Sequence, residues 1–131
     1  MSPIIPSSKG LGIIGLWGYN VYMRIWDIEP VRLCRNHLLG EHLELHAIWS
    51  ILTKNKKGYS HHPETLRWKG KLKALYLRHE LLVKEFKNRS YQHKSDLTKR
   101  LAVGCARQNQ FINSYKEQLI ILRCKKCGCK I

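Results

Sequence analysis

Apolar residues return every three or four positions along two stretches of this chain, and that period predicts helices. In the first stretch Leu38, Leu45, Trp49 and Leu52 form one stripe with His42 inside it, so a helix is expected from about Pro30 or Asn36 to Thr53. Glu29-Pro30 blocks continuation from upstream. In the second stretch Trp68, Leu72, Leu75, His79, Leu82 and Phe86 keep the spacing, and Lys69, Lys71, Lys73, Lys84 and Lys87 occupy the other face. This predicts one amphipathic helix from Glu64 to about Lys87, opened by Pro63. Tyr91-Gln92-His93-Lys94 reads as a polar connector, and Asp96 as the N-cap of a short helix through about Cys105. Ser114 and Glu117 have capping-box spacing ahead of Leu119, Ile120 and Leu122, which predicts a last helix. No strand alternation or internal repeat is visible. The expected fold is all-α: a compact three-main-helix single domain with an irregular N-terminal arm.

The arm is residues 1–22, where Pro3, Pro6, Gly10, Gly12, Gly15 and Gly18 interrupt any period and Lys9 is the single charge. It reads as an extension to a helical domain over 23–131, which itself ends in a cysteine-rich tail at 124–131. Its apolar run, Leu11 to Gly18, is far shorter than the roughly 18 residues of a spanning helix. No secretory cleavage pattern follows it, so an intracellular protein, cytoplasmic or nucleoid-associated, is expected.

Charge adds a partner. Lys and Arg number 24 against 9 Asp and Glu, a formal net charge of +15. Such an excess draws polyanions, nucleic acid above all, through phosphate contacts and counterion release. Lys54, Lys56 and Lys57 could track a DNA backbone, His61 and His62 could meet phosphate or cap the second helix, and Tyr59 could stack on a base. No phosphate-binding glycine loop is present, and no cofactor is expected.

The titratable clusters are less decisive. Five cysteines do not form a fully paired framework. Cys34 and Cys105 stand alone in the sequence and read as small buried hydrophobes. Cys124, Cys127 and Cys129 are weak metal candidates, because the tail does not complete a set of four ligands and no metal is expected. His42 and His46 share one helix face, but the order is H-x-E-x-H, so Glu44 points away from the pair. On the helical wheel Glu44 lies roughly 100° from the apolar stripe, at the border between core and solvent. A carboxylate there can be partly desolvated while still reaching a ligand.

The segments Met23-Arg24-Ile25-Trp26-Asp27, Asn36 to His46 and Lys57 to Glu64, continued by Tyr91 to Ser95, resemble the pyrimidine-dimer DNA glycosylase family over about Met23–Leu97. The resemblance implies an N-glycosylase with abasic-site lyase activity on cyclobutane pyrimidine dimers. In that family the α-amine of the mature chain's first residue forms a Schiff base with the sugar C1′, and β-elimination then cuts the strand. Here that amine belongs to Met23 if the mature chain starts there. Glu44 matches the glutamate that assists base departure, while Arg24 and His37 match positions that hold DNA near the active site. The implied partner is double-stranded DNA carrying damaged pyrimidines, bound by a monomer. The contrasting expectation is a non-catalytic basic nucleic-acid-binding protein on the same helical fold.

Overall fold

The computed structural model describes residues 24–131. The arm expected over residues 1–22, and Met23, lie outside the described residues. The order is a 3-10 turn at Pro30–Arg32, α1 (Arg35–Lys54), α2 (Pro63–Trp68), α3 (Leu72–Asn88), a 3-10 turn at Lys99–Leu101 and α4 (Tyr115–Cys124). No strand occurs among the described residues, and the molecule is all-α with three main helices.

Helix α1 runs for 20 residues because its stripe is continuous: Leu38, Leu45, Ile48 and Trp49 are all buried. It stops at Asn55, which turns left-handed at φ 52° and returns its N–H to the Ile51 carbonyl. The buried side of α1 packs chiefly on α3, whose Leu75, Leu82 and Phe86 complete the core with Ile25, Ile28 and Leu33 from the segment before α1. Helix α4 opens with the expected capping box, Ser114 Oγ accepting from the Glu117 N–H and Glu117 Oε1 from the Ser114 N–H. It contributes Leu122 to the same core.

Two expectations are corrected. The single helix foreseen over 64–87 is two helices, broken at Gly70 with φ +77°. Trp68 and Leu72 are four apart on either side of the break, so the apolar period runs through a bend that only the glycine betrays. The helix foreseen through Cys105 is reduced to the 3-10 turn at Lys99–Leu101. The reason is that its backbone is used elsewhere. Gly104 pairs with Lys71, the Cys105 N–H donates to the Gly70 carbonyl at 3.0 Å, and the Val103 and Cys105 carbonyls accept from the N–H groups of Lys73 and Ala74 at 2.8 and 3.1 Å. Segment 103–105 thereby satisfies amides that the first turn of α3 cannot pair internally.

The stretch 24–28 has no regular structure although Ile25, Trp26 and Ile28 are buried, so side chains must satisfy its peptide groups. Glu41 Oε1 accepts from the Trp26 N–H at 3.1 Å, and Arg78 Nη2 donates to the Ile28 carbonyl at 2.9 Å. Arg67 Nη2 donates to the Ile25 carbonyl at 2.9 Å, and Gln118 Oε1 accepts from the Asp27 N–H at 2.8 Å. All four named helices thus hold this stretch.

The Gly70–Gly104 contact gives a test. Gly104 has φ +86°, and a Cβ there would collide with the Gly70 carbonyl oxygen. Gly104→Ala should lower unfolding stability in urea by about 1–3 kcal/mol; an unchanged midpoint would contradict this account of the α2–α3 break.

Candidate active site and histidine and cysteine clusters

His37, Glu41 and Glu44 follow 4 and 3 spacing on α1, so they lie along one face on successive turns. The stretch 24–28 rests on that face. Trp26 holds Glu41 by its amide, and its ring meets the His37 ring edge-on at 5.7 Å. The Arg24 guanidinium stacks over the Trp26 ring at 4.4 Å. Burial pushes the pKa of Arg24 down, opposed by the nearby Glu64 carboxylate, and its Nε is buried without a hydrogen-bond partner.

The two carboxylates on this face differ in kind. Glu41 is 2% exposed and accepts from Arg78 through both oxygens, at 2.6 and 3.1 Å. Burial pushes its pKa up and the Arg78 charge opposes that. Glu44 is half-buried, and burial alone raises its pKa. Of the 9 acidic residues in the chain, Glu44 alone makes no hydrogen bond or ion pair among the described residues. Asp27 and Glu64 share Arg67, Glu85 pairs with Arg89, and Glu80 and Asp96 face His79 and His93. Glu29 accepts from Tyr115, and Glu117 serves the α4 cap. In a chain of charge +15, an unpaired and partly desolvated carboxylate is set apart from the structural ion pairs.

Lys54 at the end of α1, and Lys56, Lys57, Tyr59 and His61 on the α1–α2 connection, are all exposed, as a nucleic-acid surface requires. His62 is placed otherwise: it is 8% exposed, and its Nδ1 accepts from the Glu64 N–H to cap α2. Among the residues expected to contact DNA, His37 is half-buried. Its Nδ1 lies 3.2 Å from Cys34 Sγ, 3.2 Å from Cys127 Sγ and 3.4 Å from Cys129 Sγ. Burial, followed by the nearby Lys125 charge, pushes the His37 pKa down to about 4.

Cys34 is therefore not an isolated hydrophobe, and Cys105 is exposed, contrary to both sequence expectations. Cys127 and Cys129 join Cys34 and His37, while Cys124 is exposed outside the group. A second group, His42, His46, His79 and His93, is gathered from α1, α3 and the connector after α3. His79 read as one more position in the α3 stripe, and His93 as part of a polar linker. The available signal was a histidine in the apolar stripe of each helix, His79 in one and His42 in the other, since an imidazole buried at such a position needs polar partners.

A sequence model of the family described as pyrimidine dimer DNA glycosylase matches residues 23–99, more than half of the chain. The match begins at Met23 and contains Glu44, the α1–α2 connection and all of the histidine group. No curated protein and no solved structure matches the chain. Among the described residues no helix is long and apolar enough to cross a membrane.

The contrast between the two glutamates predicts opposite stability effects. Glu41→Gln leaves the Arg78 charge unpaired and should cost about 3–5 kcal/mol in urea unfolding. Glu44→Gln should stay within about 0.5 kcal/mol of the parent. A large loss in the second variant would mean that Glu44 is structural.

Proposed function

Because the chain belongs to the pyrimidine dimer DNA glycosylase family, we propose that it is a DNA repair N-glycosylase with abasic-site lyase activity on cyclobutane pyrimidine dimers. The observation that carries this reading is Glu44, a carboxylate without a hydrogen bond or ion pair among the described residues, on the same α1 face as Glu41, which holds the segment following Met23. Trp26 is fixed to Glu41, three residues and a rise of about 4.5 Å from Glu44 along the helix. Three residues of extended chain reach about 10 Å. That span allows the proposed Met23 α-amine to act with Glu44, once translation beginning at Met23 or removal of residues 1–22 has freed it.

The chemistry follows from that pair. An α-amine titrates near 8, so a useful fraction is neutral at physiological pH and can attack C1′ of the damaged nucleotide. The glycosidic C–N bond breaks as the N–C1′ bond forms, and the base leaves with a proton. Opening of the sugar ring yields an iminium. Loss of a C2′ proton then expels the 3′ phosphate and cuts the strand. Glu44 is the group proposed to carry protons in these steps and to face the iminium charge.

Arg24 and the exposed Lys54, Lys56, Lys57, Tyr59 and His61 are proposed to hold the duplex, with His62 fixing the turn and His37 supporting Trp26. Such binding offsets the cost of kinking DNA and extruding a base, which is lowest where a lesion has already weakened stacking.

Borohydride trapping with dimer-containing duplex tests the reading. A chain beginning at Met23 should form a covalent adduct, and Glu44→Gln should lose strand cutting by a factor of at least about 10². Absence of any adduct would overturn it. The net charge of +15 favours a second reading, a non-catalytic DNA binder, which predicts equal affinity for damaged and intact duplex. On either reading, replacing Lys54, Lys56 and Lys57 together by alanine should reduce the slope of log affinity against log salt by about 2–3. An unchanged slope would remove this loop from the interface.

A further inference from the structure

We propose that His42, His46, His79 and His93 form a closed site for one divalent first-row metal ion, zinc being the ion whose tetrahedral preference they match. This site does not depend on the glycosylase reading.

The ring nitrogens of these histidines face one another. His42 Nε2 and His46 Nε2 lie 3.3 and 3.2 Å from His79 Nε2, and one ligand atom from each of the 4 histidines lies within 4.8 Å of the others. Tetrahedral zinc with bonds of about 2.05 Å to nitrogen places its ligand atoms about 3.3 Å apart. A purely hydrogen-bonded cluster accounts poorly for the same positions. His79 is fully buried, and its Nδ1 is 2.8 Å from Glu80 Oε2; an ionised carboxylate only accepts, so Nδ1 carries the proton and Nε2 presents a lone pair. The Ser95 backbone hydrogen-bonds the His46 ring, and Asp96 Oδ1 lies 3.5 Å from His93 Nδ1. His93 Nε2 is buried and has no hydrogen-bond partner. His42 and His46 thus crowd one lone pair on His79, which can accept from only one of them, and His93 Nε2 is left over. A cation at their centre satisfies them all, and a carboxylate or carbonyl behind the ligating ring is the usual outer support of such a site.

The ligand types set the role. Four protein ligands leave no open position, so the ion is structural and catalyses nothing. It fastens α1 to α3 and ties down the connector carrying His93, with the Phe86 ring packed on His42 at 4.9 Å.

Different atoms carry a second site independently. Cys34, Cys127 and Cys129 place their sulfurs around His37 Nδ1, and the Cys34 N–H points at Cys129 Sγ over 3.1 Å. Three thiols and one imidazole are a closed zinc set. We infer that zinc here clamps the tail onto the start of α1, completing the set that the tail lacks alone.

The test uses the full chain purified without chelator. Elemental analysis should find two equivalents of zinc per chain. A mercurial thiol reagent should release one equivalent, and a strong chelator the second, with a fall in the thermal midpoint. His93→Gln should then retain only the thiol-sensitive equivalent. If that variant does not fold, the sequential release from the parent chain decides. No zinc remaining after the mercurial, even when Zn²⁺ was supplied to the metal-free chain, would overturn the four-histidine site. No mercurial-sensitive zinc, or a mass 2 Da low from a disulfide, would overturn the cysteine site.

Discussion

The buried carboxylate of Glu41 is the constraint on which the working end of the molecule depends. It takes the Trp26 amide with one oxygen and the Arg78 guanidinium with both, and Arg78 in turn holds the Ile28 carbonyl. An irregular segment can be buried only if its peptide groups are satisfied, and this pair satisfies both flanks of residues 26–28. Breaking it would expose an unpaired charge inside the core, which is why it specifies one position for the segment more than it adds stability. The position so specified sets Trp26 against His37 and Glu41 on the α1 face that also carries Glu44.

Charge is distributed to the same end. The acids are almost all consumed by internal pairing, with Arg67 alone serving Asp27 and Glu64. The surplus cations are left to the surface, including the α1–α2 connection. One carboxylate is left out of this pairing. Glu44 has no partner among the described residues to hold its charge and is partly desolvated, which is the environment that a proton-transfer group needs and a structural acid does not.

How much of this was legible in the sequence depended on whether the signal was local. The α1 stripe and the α4 capping box are local, and the helices formed where their residues indicated. The split between α2 and α3 was hidden because Trp68 and Leu72 keep helical spacing across a turn. The missing helix before Cys105 was hidden because its backbone pairs with residues 70–74, a long-range use that no cap can announce. Glu44 could be placed at the border of its helix by period alone. The two ligand groups could not be assembled, since Cys34 and Cys127 lie at opposite ends of the domain and His79 was indistinguishable from a core residue. The tail looked incomplete because its partners come from the start of α1.

A buried ion pair sets the segment that follows Met23 on the α1 face carrying Glu44, and the proposed function adds a free Met23 amine acting with Glu44 on DNA drawn by the basic surface. Its central claim concerns which nitrogen attacks. Proteolysis and tandem mass spectrometry of the borohydride-reduced adduct identify that atom directly. The account predicts that the sugar remnant is on the α-nitrogen of Met23; an adduct on a lysine Nζ would contradict it.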